Sequence, residues 1–565
     1  MELKFQNFRS ALKSHFVTIL AFSLGFFWLI FIYSSGLHFS GDSGHYLGYA
    51  LDMHYEGNYS VSATRPPVYP ILISLFMYFD GFPAGAAAIV SGISLILLLI
   101  VFALILQKFS KDTLLNSLFL IGFFMFDKFL YIFKYAWSEV PFSLFLILNF
   151  YFLLRHHESK KIRHYVFAVI FVSLATLTRY MGYSLIAAFF IYTIYFLYIN
   201  RSSKTISIKK YLLLNTISYI PLILFLIRNY LVFKTFHGIR NPTHLTVFQN
   251  CIEVLKVLNE SLCSYLLILL VMSIVLYILF KKKDIKMGEN KSIFSLSYIF
   301  LMVFIYIGIL IYSTSSVKVD PIAIRYFSPI YSFFFLFVFI NYSLVLQTPM
   351  CDEKKPGRNV IKFFFYCIVF AILIVHGRNF FLFMDNIHKN RHEIDCHPMS
   401  AGYETSPAIK KMNAFLTDIF SRQDKIYIVS VYEYRNRFNY PHVARTHFFR
   451  RGLIKNSSVS HFTFKSINYA GFVINFLLEN KRKRIIYRHL ALADIDRALF
   501  KKLMVKIMQR EKVNSVYLIA SAAENTEPVR INKISRYLPM KLKILYQTKI
   551  GSCFVYHIGL KKYNN

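Results

Sequence analysis

The chain has 565 residues, of which 56% are hydrophobic and 17% charged, and its formal net charge is +36. Soluble domains carry about 25% charged residues and disordered chains have low hydrophobicity, so the composition excludes both an ordinary soluble enzyme and a disordered chain. A soluble protein this basic would indicate nucleic-acid binding, whereas the apolar content indicates a membrane. The positions of the basic residues decide between the two.

Long apolar segments predict an α-helical polytopic membrane protein, because a helix needs about 20 mostly apolar residues to span a bilayer. We predict eleven spans, at 16–35, 83–106, 113–132, 139–154, 165–177, 181–199, 211–229, 263–280, 292–312, 327–347 and 362–377. The first is not a cleavable signal peptide, since its apolar run is long and further spans follow. The stretch Val68–Phe79 is apolar but only about 12 residues long, which suits an interfacial or re-entrant segment.

The lysines and arginines of the loops give the orientation. The N-terminal tail and the alternate connections hold 22 of them, and the opposite loops hold 10. Since basic residues accumulate on the cytoplasmic side, we predict a cytoplasmic N-terminus, and eleven spans then put the C-terminus outside. We expect an integral protein of the plasma membrane, the inner membrane of a bacterium.

The character of the chain changes at about residue 378, where long apolar runs stop. The β-rich runs Lys425–Val431 and Val513–Ala520 and the helical pattern Ser406–Phe420 predict a compact α/β domain. We therefore divide the chain into a transmembrane domain, 1–377, with a large first outer loop at 36–82, and an extracytoplasmic domain, 378–565. The second holds 33 basic and 13 acidic residues. Its run Lys481–Arg484 is interpreted as an exposed charged face, and we predict no nucleic-acid partner.

The first outer loop carries the clearest chemical pattern. Ser40 is a plausible helix N-cap, so Asp42 falls in the first helical turn, where the helix dipole favours its ionised form. Tyr46 and Ala50 share its helix face at intervals of four residues. An ionised Asp42 facing Arg65 could accept a proton from a hydroxyl or hold a cation. Helix capping alone would explain Asp42 equally well.

Four further polar points lie where predicted spans meet the same outer surface. They are Ser138-Glu139, Thr178-Arg179, Arg228-Asn229-Tyr230 and Arg325-Tyr326. Each alone is explained by an interfacial anchor or a structural ion pair. Together they supply several arginines, whose forked donors suit phosphate, so we predict a lipid-phosphate site. His156-His157 lies in a basic cytoplasmic loop and is expected to be solvated.

Several chemistries lack their motifs. The sequence has no P-loop, no GxSxG and no HExxH, which argues against a nucleotide-driven pump, a serine hydrolase and a zinc protease. The six cysteines show no zinc-type spacing. We interpret them as unpaired, with a Cys396–Cys553 disulfide as the alternative.

The combination of motifs resembles the membrane glycosyltransferases of the C-type fold, in the branch of the protein O-mannosyltransferases and lipid A aminoarabinose transferases. The resemblance covers roughly residues 1–350. It rests on Asp42-x3-Tyr46-x3-Ala50 and Arg65-Pro66-Pro67-x-Tyr69-Pro70, followed in order by Ser138-Glu139, Thr178-Arg179, Arg228-Asn229-Tyr230 and Arg325-Tyr326-x2-Pro329. Two positions differ: Ser43 stands where many relatives have a second acidic residue, and Arg65 stands where the aminoarabinose transferases have lysine.

The resemblance implies transfer of a hexosyl or pentosyl group from a polyprenyl-phosphate donor to a hydroxyl of a protein, lipid or glycan acceptor on the outer face. Asp42 would be the catalytic base or would position the acceptor. Substrate-binding candidates are Tyr46, Arg65, Tyr69, Glu139, Arg179, Arg228, Arg325 and Tyr326. We predict no definite cofactor; Glu139 could bind the acceptor or a divalent metal ion. The alternatives are a polymerase or flippase acting on lipid-linked glycans and a non-enzymatic membrane receptor.

Overall fold

The computed structural model describes residues 2–35, 37, 41–56, 63–80, 83–201, 207–238, 243, 245–260, 291–317, 322–346, 356–389, and five strands in the C-terminal region. The helices are α1 (Glu2–Ser35), α2 (Gly41–Glu56), α3 (Val68–Asp80), α4 (Pro83–Phe109), α5 (Thr113–Phe124), α6 (Asp127–Leu130), α7 (Glu139–Ser159), α8 (Ile162–Thr176), α9 (Tyr183–Ile199), α10 (Ile208–Phe233), α11 (247–260), α12 (Lys291–Ser316), α13 (Ile324–Phe327), α14 (Tyr331–Leu346) and α15 (Pro356–Lys389). Short 3-10 turns lie at Tyr131–Lys134, Tyr180–Gly182 and Ser328–Ile330.

The protein is a helical polytopic membrane protein. Within the described ranges, six helical stretches are long and apolar enough to cross a bilayer, or seven if α5 and the segment Asp127–Lys134, bent by 54°, form one broken span. Ten predicted spans overlap helices, while 263–280 lies outside the described residues, so the number eleven stays a prediction. Helix α3 has 13 residues, in keeping with a segment too short to span, and α15 continues past residue 377 to Lys389.

Helices α1 and α4 approach each other closely at a glycine. A Cβ atom on Gly25 would lie 2.7 Å from the Cα of Ile96, closer than real contacts allow. Small residues permit such backbone approach in membranes, where association depends on van der Waals packing rather than on hydrophobic exclusion from water. Large apolar side chains of α1 and α10 point outward, as they do on helices that face lipid.

Buried polar side chains tie the inner helices together. Asn149 of α7 donates to the carbonyl of Ala168 on α8 at 3.0 Å and accepts from the Tyr298 hydroxyl of α12 at 2.9 Å. His156 is fully buried and hydrogen-bonds the hydroxyls of Tyr192 and Tyr211, each at 2.9 Å. The prediction that His156-His157 is solvated is therefore wrong. Basic residues next to this pair in the sequence suggest a solvated loop. The two histidines instead lie in the last turn of α7 and are buried.

Five strands of the C-terminal region form one mixed sheet in the order β2-β1-β3-β5-β4. They are β1 (Lys425–Tyr432), β2 (Arg484–Ala491), β3 (Ser515–Ser521), β4 (Leu542–Ile550) and β5 (Cys553–Leu560). Strand β1 runs parallel to β2 and β3, and β5 runs antiparallel to β3 and β4. Two strands coincide with the predicted β-rich runs. The predicted helix Ser406–Phe420 and Cys396 lie outside the described residues, so the α/β character and the state of Cys396 stay predictions.

The glycine contact gives a test of α1–α4 packing. We expect Gly25→Ala to lower the free energy of unfolding by about 1–3 kcal/mol, because the methyl group must push the helices apart. Gly308→Ala on α12 is the matched control, since nothing lies within 4 Å of its added Cβ. Thermal unfolding of the purified variants in detergent measures the difference, and equal midpoints would contradict the close approach.

Candidate functional site

Asp42 is held by two arginines from distant parts of the chain. It lies in the first turn of α2, as the sequence predicts. Its Oδ1 accepts from Nη2 of Arg65 at 2.6 Å, and its Oδ2 accepts from Nη1 of Arg325 at 3.0 Å. Both oxygens of the carboxylate therefore receive charge-assisted hydrogen bonds.

A second carboxylate, Glu139, lies against the same arginine. Glu139 forms an ion pair with Arg179, and its Oε1 lies 4.0 Å from Nε of Arg325. Its side chain is only 2% exposed, and a buried charge is tolerated only when it is paired. Arg325 thus lies between the two carboxylates and joins the two ion pairs into one charged cluster, which consists of Asp42, Arg65, Glu139, Arg179 and Arg325.

Hydroxyl groups connect the cluster internally. The hydroxyls of Tyr46 and Ser138 share a hydrogen bond of 2.8 Å, and Nη1 of Arg179 donates to the Ser138 oxygen at 3.3 Å. The Tyr69 ring packs edge-on against Tyr46 with centroids 5.1 Å apart. Nη2 of Arg325 donates to the Tyr326 hydroxyl at 3.2 Å. These contacts join Tyr46, Tyr69 and Tyr326 to the cluster.

The segment that carries Arg65 is fixed at both ends to the connection between α8 and α9. The Tyr180 hydroxyl donates to the carbonyl of Ala63 at 2.5 Å, and the Val68 N–H donates to the carbonyl of Leu177 at 2.9 Å. Arg179 lies in that same connection. The two fixed points therefore set the spacing between Arg65 and Arg179, and with it the spacing between their carboxylate partners.

Arg228 is placed differently from the other predicted site residues. Its Nη1 donates to the adjacent Asn229 at 3.0 Å, and its guanidinium lies 5.2 Å from the centre of the Phe233 ring. Both partners belong to α10, so these contacts do not connect Arg228 to the charged cluster. Asn229 instead donates to the Tyr180 hydroxyl at 3.2 Å and so supports the residue that holds Ala63.

One residue of the site was missed by sequence reasoning. The guanidinium of Arg325 lies 5.2 Å from the centre of the Trp137 ring, and Trp137 directly precedes Ser138-Glu139. An aromatic residue beside a polar pair is a weak signal here, because aromatic residues make up 18% of the chain. Only the three-dimensional contact distinguishes Trp137 from the many aromatic residues that fill the core.

Arg65 keeps its charge in spite of burial. Burial is the largest single influence and opposes the charge, but Asp42 at 2.6 Å together with Tyr49 and Tyr46 outweighs it, and the pKa of the Arg65 guanidinium is raised. Burial and the nearby Asp42 also raise the pKa of the Tyr46 phenol, which therefore stays protonated. With three guanidinium groups and two carboxylates, these five side chains carry one net positive charge.

The donor set does not fit a metal ion. Both oxygens of Asp42 and one oxygen of Glu139 are occupied by arginines. In the part of the chain that the structure describes, no group of three or more His, Cys, Asp or Glu side chains is placed to hold a metal. The three guanidinium groups of the cluster have the donor geometry that suits an anion.

Comparison with known proteins gives two results. Residues 64–227 match the family model described as dolichyl-phosphate-mannose-protein mannosyltransferase. Two structures of ArnT from Cupriavidus metallidurans are similar to the chain at 12% identity. The apo structure covers 94% of this chain and 96% of its own with a TM-score of 0.50, and the structure bound to undecaprenyl phosphate covers 97% of both chains with a TM-score of 0.49. No protein of curated function matches the chain by sequence.

The chain has the fold of the C-type membrane glycosyltransferases. The resemblance predicted from the sequence motifs is thereby confirmed. Arg65, Glu139 and Arg179 lie inside the segment that the family model matches, whereas Asp42 and Arg325 lie outside it. The matched segment therefore holds one complete ion pair of the cluster and one partner of Asp42.

The buried ion pair of Glu139 and Arg179 predicts a stability effect that can be reversed. We expect Arg179→Gln to lower the free energy of unfolding by about 3 kcal/mol, because it leaves the Glu139 charge buried with less compensation. Adding Glu139→Gln should restore most of the loss. Lys256→Gln, which removes one partner of the exposed pair with Glu253, is the control and should change little. Thermal unfolding in detergent gives all four values, and a double variant no more stable than Arg179→Gln would contradict the prediction.

Proposed function

We propose that the protein is a membrane glycosyltransferase that moves a hexosyl or pentosyl group from a polyprenyl-phosphate donor to an acceptor hydroxyl. The transfer would take place at the outer face of the membrane that holds the protein. Three observations support this: the C-type fold, the match of residues 64–227 to a family described by a dolichyl-phosphate sugar donor, and the charged cluster. The acceptor class, whether protein, lipid or glycan, is left to experiment.

The charged cluster carries the proposal, because it combines an anion site with a base. Its five side chains hold one net positive charge, which a donor phosphate would balance. Each guanidinium has five N–H donors, so Arg65 and Arg325 can bond a phosphate oxygen while keeping a contact to Asp42. A phosphate bound there would place the bond to the sugar within reach of the Asp42 carboxylate.

In the proposed reaction, the acceptor oxygen attacks the anomeric carbon of the sugar as the bond from that carbon to the phosphate oxygen breaks. The electron pair of the broken bond goes to the phosphate, where Arg65 and Arg325 stabilise the growing negative charge. The proton of the acceptor hydroxyl goes to the carboxylate of Asp42. The products are the glycosylated acceptor and the polyprenyl phosphate.

Exposure separates the roles of the two carboxylates. The Asp42 side chain is 29% exposed, whereas that of Glu139 is 2% exposed. A base must come within about 3 Å of the proton that it accepts, which an acceptor can achieve at Asp42 and not at Glu139 without rearrangement. We therefore assign the base to Asp42, and we assign to Glu139 the role of holding Arg179 and Arg325.

The first test is Asp42→Asn, which keeps the shape of the side chain and removes the base. We expect it to reduce transfer from a radiolabelled polyprenyl-phosphate sugar at least 100-fold, the effect typical of losing a general base, without loss of expression or membrane insertion. Glu253→Gln makes the same chemical change at an exposed ion pair and should retain full activity.

The same assay separates the proposal from its rivals. A polymerase, a flippase or a receptor would not transfer a single sugar from the labelled donor to a hydroxyl in a manner that depends on Asp42. Full activity in Asp42→Asn would remove Asp42 from the mechanism, and transfer only from a nucleotide sugar would contradict the lipid-phosphate donor.

A further inference from the structure

We infer that Trp137 is a positioning residue whose indole face holds the guanidinium of Arg325 between Asp42 and Glu139. The inference rests on the proposed function for its kinetic consequence, although the contact itself can be tested without any substrate. The starting observation is the position of Arg325. Its side chain is only 6% exposed and lies near two carboxylates, those of Asp42 and Glu139.

The guanidinium of Arg325 is enclosed by two aromatic rings. Its Cζ lies 5.2 Å from the Trp137 centroid and 5.0 Å from the Tyr326 centroid. A cation this close to the face of an indole is attracted by the ring quadrupole, and the attraction is stronger away from water. Trp137 therefore compensates part of the cost of burying Arg325 and restricts the plane of its fork of donors.

Trp137 is itself held rigidly. Its ring stacks on Tyr135 with centroids 4.0 Å apart and an angle of 8° between the planes, and it lies 5.9 Å from the Tyr131 ring. The backbone N–H of Trp137 donates to the carbonyl of Tyr135 at 3.0 Å. A ring fixed on one face by Tyr135 can define the position of a group that contacts it.

The main chain next to Arg325 is held by hydrogen bonds that do not involve the indole. The Ser328 hydroxyl donates to the carbonyl of Lys128 at 2.8 Å, and the Tyr306 hydroxyl donates to the carbonyl of Tyr326 at 2.7 Å. These bonds fix the main chain near Arg325, but a long arginine side chain keeps several rotatable bonds. The contact with Trp137 orients the end of that side chain, which the backbone bonds cannot do.

The composition of the chain makes the contact directly observable. The sequence contains only two tryptophans. The other, Trp28, is buried in α1, where it stacks on Phe383 with centroids 6.3 Å apart. Trp28→Phe therefore leaves Trp137 as the single indole, and its fluorescence reports on the cluster alone.

The first experiment compares the emission of the Trp28→Phe protein with and without Arg325→Gln, in detergent and without substrate. We expect the emission maximum or intensity of Trp137 to change when the guanidinium is removed, since its field acts on the ring. Arg163→Gln, at an exposed arginine of α8, is the control and should leave the spectrum unchanged. Identical spectra with and without Arg325 would overturn the contact.

The second experiment is a double-mutant cycle on transfer activity. We expect Trp137→Leu to lower kcat/KM for the lipid-linked donor by about tenfold, with Trp137→Phe recovering part of the loss, since phenylalanine keeps a weaker cation–π face. In an Arg325→Gln background, Trp137→Leu should lower kcat/KM by less than about twofold, because the contact is already lost. Fully additive losses, or a Trp137→Leu protein with unchanged kcat/KM, would overturn the positioning role.

The two experiments separate this inference from the proposed function. If the protein transfers no sugar from any polyprenyl-phosphate donor, the proposed function fails. The dependence of Trp137 emission on Arg325, which is measured without substrate, then still decides the inference. Emission that changes in Arg325→Gln supports the contact, and emission that stays the same overturns it.

Discussion

The structure of the helical part of the chain depends on one constraint: ionised side chains in a low-dielectric interior must be matched by opposite charges. Glu139 and Arg325 are almost completely buried, and neither is tolerable there alone. Their partners Asp42 and Arg179 come from the start of α2 and from the connection after α8. Four distant parts of the chain must therefore meet at one point, and the helices between them are arranged so that they do.

This constraint explains why the surrounding structure is rich in specific polar contacts. The segment of Arg65 is fixed to Leu177 and Tyr180 by two hydrogen bonds to the backbone, and the segment of Arg325 is fixed to Lys128 by Ser328. A buried ion pair loses most of its stabilising energy when its geometry is lost, because each charge then stays desolvated without a partner. Contacts between helices, such as those of Asn149, keep the spacing constant elsewhere in the bundle.

Much of this arrangement could be predicted from the sequence, and the reason is physical. Long apolar runs predict the helices, and the Ser40-x-Asp42 pattern predicts that Asp42 lies in the first turn of α2. Charged residues at the ends of spans are expected to have partners of opposite charge. The choice of partners could not be predicted. Asp42 and Arg325 are separated by 283 residues. Nothing in the local sequence distinguishes Arg325 from Arg228, which hydrogen-bonds Asn229 and lies against Phe233 of its own helix. Trp137 was hidden among 60 phenylalanines and 40 tyrosines, and His156 is buried although its neighbours in sequence are basic.

The double attachment of Asp42 also has a consequence for the proposed reaction. In the absence of substrate, each carboxylate oxygen of Asp42 accepts a hydrogen bond from a guanidinium group. In the proposed reaction, the donor phosphate would bind N–H groups of Arg65 and Arg325 that Asp42 leaves unused, and would share their positive charge with the carboxylate. In this proposal, Asp42 acts as the base with the leaving group in place. The arginines proposed to stabilise the departing phosphate are the same ones that hold Asp42 in the free protein, which links the two halves of the proposed chemistry through two side chains.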